Sequence, residues 1–410
     1  MFLDIIRLLL ISIILLFCYF LVNNYDMENN KSMDFIYGKG CMLKKFKREM
    51  IKNNLYYKID NILLKMNFLQ PIIFSIIPSD LKSKVQNEYN KRIESELFTF
   101  SDGGNTMIEY LYARDRNKPF IYFTNTFGVD NFGSCYLYRM MLILNKQYNC
   151  VFLYSRGYKL PINNDIMYLC NINEDLNEII EHVINKNKTN DHILVGMSMG
   201  SNSFCNYLCN YKNKRIKGFV SICNPLDLLT ISHSETFSFI NNLFINKLFK
   251  INMKKYILNN FKSDEYIINN INILLEDLDL FFIKLLKPYC KKKYKSFNDF
   301  CYNNSCINTI EKLETPSLFI FSKDDCVTPI SKTNIEKLKK NNNIFQLHTK
   351  YGSHVAHYDD DGKIWLVDII DKYIKYILPM STIKTLLFIY LFIYFLNQQF
   401  VFQNLIQYNI

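Results

Sequence analysis

The feature that most constrains the fold is the alternation of short apolar runs with helical segments between residues 97 and 378. The apolar runs are rich in β-branched and aromatic residues, which favour buried strands, and the stretches between them have helical periodicity. The buried-strand candidates are residues 120–124, 150–154, 193–197, 218–223, 317–321 and 344–348. Strands that alternate with helices indicate a mostly parallel sheet wrapped by helices, so the sequence predicts an α/β fold.

Two features modify this alternation. The turn Asp102-Gly103-Gly104 separates two short apolar runs, which predicts an antiparallel hairpin at the start of the sheet. From about residue 226 to 315, helical periodicity continues without a strand candidate, and Phe, Leu and Ile alternate with Lys. We therefore predict a helical cap inserted into the main domain. Its apolar residues suit an acyl-chain substrate, although a polar substrate is also compatible with a helical insertion.

Composition and charge narrow the class of protein. Hydrophobic residues make up 49% of the 410 residues and charged residues 21%, which is ordinary for a folded enzyme and excludes general disorder. The formal net charge of +11 suits an anionic membrane surface or Lys-rich solvated faces. No basic stripe falls in a recognised nucleic-acid-binding module, so nucleic-acid binding is not predicted. The 12 cysteines have no C-x-x-C pair or zinc spacing, which favours a reduced compartment and leaves an endomembrane lumen open.

The two ends of the sequence are apolar. Residues 8–22 carry no charge and approach the length of about 20 residues that a membrane-spanning helix needs. No small-residue cleavage pattern follows, so we predict an uncleaved single-pass anchor over residues 1–25. Residues 26–96 are Lys-rich and are predicted to pack on the main domain as a membrane-proximal extension. The tail, residues 379–410, contains the apolar run 385–396, which is too short to span a bilayer alone and suits the membrane interface or the domain surface.

The strongest chemical motif is Gly196-Met197-Ser198-Met199-Gly200, which directly follows the apolar run at residues 192–195 and directly precedes a helix. A sharp strand-to-helix turn strains the serine backbone and lifts its hydroxyl above the sheet edge, while the flanking glycines let strand and helix approach. The helix N-terminus then directs free N–H groups at an oxyanion. This context predicts that Ser198 is a nucleophile.

An acid and a base are expected after the nucleophile, each in a loop that follows a later strand. Two adjacent carboxylates, Asp324 and Asp325, follow strand 317–321, and the usual spacing of three residues between the acid and a proline favours Asp325. For the base, His354 follows strand 344–348 at the expected place, with His357 as the alternative. Three nearby histidines match no metal-ligand spacing, so no metal site is predicted. The order Ser, Asp, His is that of α/β-hydrolases.

The oxyanion donors are predicted to be backbone N–H groups on two segments. One is Met199, which follows the serine, and the other is Thr126, in the loop after strand 120–124. That loop contains no Gly-Gly-Gly run, which disfavours the hormone-sensitive-lipase branch.

With these residues in place, the chain resembles the YheT-like branch of α/β-hydrolases, which includes esterases and membrane-anchored lipases. The resemblance covers roughly residues 98–365. It rests on motifs that occur in the same order: Asp102-Gly103-Gly104, Ser155-Arg156-Gly157, the turn around Ser198 with Tyr207-Leu208, Asn224-Pro225-Leu226-Asp227, residues 296–302, and Pro316. It implies a triad of Ser198, Asp325 and His354, an N-terminal anchor, and activity on short- or medium-chain acyl esters or phospholipids.

This chain departs from the family pattern at two places. Thr124-Asn125 stands where the family has His-Gly, next to the predicted oxyanion donor Thr126. Gly352-Ser353-His354 replaces the family's Gly-Gly-His around the base.

The function predicted from the sequence is a membrane-associated serine hydrolase that cleaves carboxylic esters, with acyl lipids as substrates, without a metal or organic cofactor. An acyltransferase with the same triad is the first alternative, because an alcohol or lysolipid would replace water in the second half-reaction. A catalytically inactive binding protein on a hydrolase scaffold is the second alternative, motivated by the altered oxyanion loop.

Overall fold

A computed structural model describes residues 33–379 of the chain, except residues 58, 60–64, 66–78, 127–132, 165, 168–172, 189, 230–238, 262–263 and 291. The predicted anchor, residues 1–25, lies outside the described residues, as does the apolar run 385–396. Their membrane roles therefore stay predictions. Among the helices that are described, none combines the length and the apolar character needed to cross a bilayer.

Nine strands form one sheet in the order β1-β9-β8-β7-β6-β4-β5-β3-β2. The strands are β1 Met33–Tyr37, β2 Glu94–Thr99, β3 Asn105–Leu111, β4 Phe120–Thr124, β5 Asn149–Leu153, β6 His192–Met197, β7 Ile216–Ile222, β8 Ser317–Ser322 and β9 Ile344–Thr349. The six strands from β4 to β9 are parallel. The hairpin of β2 and β3 and the edge strand β1 pair antiparallel. The prediction of a mostly parallel α/β sheet is confirmed.

Helices cover both faces of this sheet, and their packing follows from the period of two along each strand. Neighbouring strand residues point to opposite faces of the sheet. Apolar runs such as those of β4 and β6 therefore contribute side chains to two separate cores, one on each face. One core contains Ile121, Val195, Val220 and Ile320. The other contains Phe120, Leu194, Phe219 and Phe319. The helices of the main domain are α1 Phe46–Lys52, α2 Ser79–Arg92, α3 Gly133–Leu144, α4 Asn173–Lys186, α5 Met199–Asn210, α9 Lys332–Lys340 and α10 at residues 365–379.

Part of the Lys-rich segment at residues 26–96 belongs to the sheet. Strand β1 pairs along its whole length with β9, which lies about three hundred positions later in the sequence. Tyr37 stacks on Phe345 with ring centroids 5.1 Å apart, and Phe35 contacts the same ring at 6.0 Å. The segment also supplies α2 and the first residues of β2. A short strand between lysines carries no periodic signal of its own, so only its distant partner reveals it.

Two sequence motifs meet around a buried arginine. Arg156, which is 1% exposed, binds Asp102 in the hairpin turn (Nη2 to Oδ2, 2.9 Å) and Asp175 in α4 (Nη2 to Oδ1, 2.8 Å). Its guanidinium lies 3.9 Å from the ring centroid of Phe100. A Cβ atom on Gly104 would collide with this guanidinium, which explains the glycine. The network ties the hairpin turn to the loop after β5.

The described residues of the insertion between β7 and β8 are mostly helical and form an apolar core of their own. Its helices are α6 Phe239–Asn260, α7 Glu265–Leu274, the run Leu278–Phe281, Phe282–Leu286 and Lys287–Tyr289, and α8 Phe297–Asn304. The buried residues of this cap core include Met253, Ile257, Phe282, Leu286 and Phe300. Helix α6 is fixed to the loop after β5, because Tyr256 Oη donates to the Arg156 carbonyl (3.1 Å) and Asn260 Nδ2 to the Gly157 carbonyl (2.9 Å).

Candidate active site

Ser198 lies on a strained turn between β6 and α5, at the carboxyl edge of the parallel strands. Its φ of 49° and ψ of −127° are rare for a residue other than glycine. The two flanking glycines leave no room for side chains. A Cβ atom on Gly196 would collide with Ser201, and one on Gly200 would lie 2.9 Å from the carbonyl oxygen of Asn125. The turn therefore has the strand–serine–helix geometry that its five-residue motif predicts.

The loop after β9 brings His354 to this serine, and the loop after β8 brings Asp325 to the histidine. His354 Nε2 lies 2.9 Å from Ser198 Oγ, and His354 Nδ1 lies 3.0 Å from Asp325 Oδ2. The Asp325 side chain is 3% exposed and that of His354 is 13% exposed. The structure thus joins the three predicted residues in one hydrogen-bonded chain, although they are far apart in the sequence.

The surroundings of Asp325 keep it ionised. Burial raises the pKa of this carboxyl group, but the charge and hydrogen bond of His354 and the N–H groups of Thr328 and Val327 outweigh burial, so the pKa lies below its ordinary value. Both N–H groups donate to Asp325 Oδ1 at 2.8 Å, and Thr328 Oγ1 donates to Oδ2 at 2.9 Å. An ionised Asp325 only accepts, so His354 Nδ1 carries the proton and Nε2 is free to accept the Ser198 hydroxyl.

The alternative acid and base occupy different positions. Asp324 Oδ1 accepts the N–H of Ser353 at 2.9 Å and thus binds the backbone of the histidine loop. His357 is fully buried, its Nε2 lies 3.1 Å from Ser322 Oγ, and its ring stacks near Trp365. Burial lowers the pKa of His357 to about 3. A base that is kept neutral in the core and away from the serine does not fit the proton-transfer role.

The two predicted oxyanion donors lie on neighbouring segments. Met199 is the first residue of α5, whose N-terminal N–H groups have no partners within the helix. The segment that leads to Thr126 runs against this helix end, because Gly200 lies in contact with Thr124 and Asn125. Asn125 is buried, and its Oδ1 accepts the N–H of Ser155 at 2.8 Å, which fixes the start of this loop.

Cys223, which follows β7 at the same sheet edge, is a residue of this site that was not predicted from the sequence. Its φ is 46°, its carbonyl oxygen lies 3.2 Å from Thr328 Oγ1, and its Sγ accepts the N–H of Val355 at 3.4 Å. Cys223 therefore links the acid loop to the histidine loop. The sequence did contain one indication of this role. Cys223 lies at the carboxyl end of a central parallel strand, and functional residues of α/β folds are commonly found there.

Cys223, Asp325 and His354 also form a group of metal-ligating types, with ligand atoms within 4.8 Å of one another. Cys223 Sγ accepts the Val355 N–H at 3.4 Å, and burial and the charge of Asp325 raise the pKa of this thiol well above its ordinary value. Asp325 and His354 already satisfy each other. The group therefore fits proton transfer better than metal binding.

Comparisons with known proteins agree with this fold. The chain is 28% identical over 170 residues to an abhydrolase domain-containing protein of Dictyostelium discoideum, which covers 40% of this chain and 41% of that protein. It is 23% identical over 254 residues to the embryogenesis-associated protein EMB8 of Picea glauca, covering 58% of this chain and 54% of that protein. The chain thus spans about half the length of these curated relatives.

No protein-family model matches the sequence. A solved naproxen esterase from Bacillus subtilis aligns with 72% of this chain and 97% of its own, with 10% identity and a TM-score of 0.43.

A serine on a strained strand-to-helix turn, above the carboxyl edge of a mostly parallel sheet, is the arrangement that unites the abhydrolase proteins. The same turn, sheet and order of Ser198, Asp325 and His354 are found here. Together with the relation to an abhydrolase domain-containing protein, they establish that this chain belongs to the α/β-hydrolase superfamily.

Proposed function

We propose that this chain is a serine hydrolase that cleaves carboxylic esters. The observation that carries the proposal is the continuous hydrogen-bonded chain from Ser198 through His354 to Asp325. Nucleophilic catalysis by serine requires a base within hydrogen-bond reach and a third group that orients the base. The two distances of 2.9 Å and 3.0 Å meet this requirement.

In the proposed reaction, Ser198 Oγ attacks the acyl carbonyl while His354 Nε2 takes its proton and then returns it to the leaving alcohol. Water repeats the two steps to release the acid from the acyl-enzyme. Asp325 holds the imidazole in the correct tautomer and stabilises the imidazolium. The N–H groups of Met199 and Thr126 stabilise the oxyanion, and each contributes about 3 kcal/mol to transition-state stabilisation.

We further propose that the substrate is the ester of an acyl lipid, as expected for the YheT-like branch. The side chain of Met199, next to Ser198, packs against the apolar core of the cap together with Leu229 and Tyr158. An apolar surface that begins beside the nucleophile favours an acyl chain, because burying each methylene group of the substrate contributes about 0.8 kcal/mol. This contact supports acyl lipids over polar esters as substrates.

The proposal is tested by fluorophosphonate labelling followed by a series of nitrophenyl esters from acetate to palmitate. We expect labelling of Ser198 and a rise in kcat/KM of up to about fourfold for each added methylene group that becomes buried. Met199→Ala should flatten this rise, because it shortens the apolar surface and leaves the backbone N–H in place. Turnover confined to acetate would contradict the acyl-lipid proposal. Product analysis with and without an added alcohol or lysolipid distinguishes hydrolysis from acyl transfer.

We also propose that residues 1–25 anchor the enzyme in a membrane. The charge-free run at residues 8–22 buries enough apolar surface to hold the chain irrespective of ionic strength. The full-length protein should therefore stay with membranes through high-salt and carbonate washes, and deletion of residues 1–22 should release most of it. Electrostatic attachment by the +11 charge would instead be screened, since the Debye length is about 10 Å at 0.1 M salt.

Two outcomes would contradict an N-terminal anchor. Retention of the truncated protein, lost only when residues 385–410 are also removed, would assign attachment to the tail. A mature N-terminus just after residue 22 would indicate a cleaved signal.

A further inference from the structure

The loop that carries His354 has an unusually strained backbone. Gly352, Ser353 and Val355 have φ angles of 128°, 45° and 61°. Positive φ is uncommon in residues other than glycine, and for a β-branched residue such as valine it is an outlier. Such conformations persist only where the surrounding structure holds them in place. The position of the His354 ring therefore depends on the contacts that hold this loop.

Two of those contacts reach the loop from neighbouring strand ends. Asp324 Oδ1 accepts the Ser353 N–H at 2.9 Å, and Cys223 Sγ accepts the Val355 N–H at 3.4 Å. Sulfur is a weak acceptor, whereas a carboxylate makes a charge-assisted bond of about twice the ordinary strength. The stronger of the two contacts is therefore the one from Asp324.

We propose that Asp324 is a positioning residue of this site, which holds the strained loop so that His354 meets both Ser198 and Asp325. The inference rests on the proposed hydrolase function and deepens it. The two adjacent carboxylates have different roles, because Asp325 binds the imidazole ring while Asp324 binds the backbone next to it. Asp324 acts through His354 and does not touch the reacting atoms.

The charge on Asp324 changes near neutral pH. Burial raises the pKa of Asp324 to about 7, and the charge of Asp325 acts in the same direction, against the N–H groups of Ser353 and Gly352. Within the described residues its Oδ2 is buried without a hydrogen-bond partner. Among the residues that the structure describes, Tyr57 and Cys326 also interact with its charge, and both are acids as well. Above pH 7 the ionised carboxylate binds the Ser353 N–H more strongly, and below pH 7 this bond weakens.

Two substitutions separate the hydrogen bond from the charge. Asp324→Ala removes the acceptor, so we expect kcat to fall about 10²-fold, the cost of misplacing a catalytic group by about 1 Å, with little change in KM. Asp324→Asn keeps an acceptor oxygen but cannot ionise, so kcat above pH 8 should fall only about fivefold. Asp361→Asn, on an exposed side chain of a nearby turn, is the matched control and should behave as wild type.

The pH dependence distinguishes positioning from a general structural effect. Asparagine imitates the protonated form of Asp324, so the ratio of kcat between wild type and Asp324→Asn should be largest above pH 8. The ratio should fall toward one as the pH drops below about 6, where the wild-type side chain is also neutral. A ratio that stays constant over this range would overturn the proposal. The pH dependence of this ratio tests the positioning role even if Asp324→Ala does not fold.

Hydrogen exchange gives a readout that does not depend on turnover. The Ser353 amide should exchange faster in folded Asp324→Ala than in wild type, because it has lost its acceptor. Unchanged protection of this amide, or a wild-type kcat in the alanine variant, would overturn the positioning role. Failure of the hydrolase function is recognised separately, because wild-type protein would then show neither fluorophosphonate labelling nor ester turnover.

Discussion

Replacing Ser198 by alanine is expected to abolish fluorophosphonate labelling and to lower kcat for ester hydrolysis by about 10⁶-fold. The reason is that Ser198 Oγ is the atom that His354 Nε2 faces at 2.9 Å. A residual rate of about 10³–10⁴-fold over water should remain, because the oxyanion donors and substrate binding are unaffected. Burst-phase measurements of turnover and labelling with a tagged fluorophosphonate check this result.

Ser201→Ala is the matched control for this experiment. Ser201 lies in the first turn of α5, which begins directly after Ser198, is fully buried, and its Oγ contacts Ser221 Oγ at 2.6 Å and not the histidine. This variant should label as wild type, with a modest loss of stability from the broken hydrogen bond. Full labelling of Ser198→Ala would remove Ser198 from the mechanism. An unlabelled and inactive wild-type protein would instead favour the alternative of a binding protein on a hydrolase scaffold.

Asp325→Asn is expected to lower kcat by about 10⁴-fold, because a neutral amide stabilises the wrong histidine tautomer. In this structure Asp325 Oδ2 and Oδ1 lie 3.0 Å and 3.2 Å from His354 Nδ1, so an amide NH₂ placed there would meet the Nδ1 proton or force it onto Nε2. A proton on Nε2 leaves no acceptor for the Ser198 hydroxyl. Steady-state kinetics near pH 8 measure the loss.

The comparison with the neighbouring carboxylate makes this test specific. Asp324→Asn should lose only about fivefold under the same conditions, since its amide still accepts the Ser353 N–H. Equal losses, or a larger loss for Asp324→Asn, would overturn the assignment of the acid. The same comparison tests the base. His354→Ala should lose turnover, whereas His357→Gln should lose stability and retain the turnover of each folded molecule.

The fold class and the nucleophile turn could be predicted from the sequence because both depend on local patterns. Buried parallel strands are continuous apolar runs, and predicted strands such as residues 193–197 and 317–321 differ by one residue from β6 and β8. The turn at Ser198 needs glycines at positions two residues away on either side, because strand and helix cross there without space for side chains. A pattern that sterics impose over five residues can be recognised in those five residues.

The roles of the individual acids, histidines and edge elements could be assigned only from the tertiary structure, because they depend on contacts between residues that are distant in the sequence. Asp324 and Asp325 are chemically identical neighbours, and only the approach of the loop after β9 gives one the imidazole ring and the other the backbone. His357 differs from His354 only in that its side chain enters the core. Strand β1 and Cys223 acquire their roles from partners that lie more than a hundred residues away. The sequence thus determined which chemical groups lie near the sheet edge, while the meeting of three loops at that edge decided which group bonds to which.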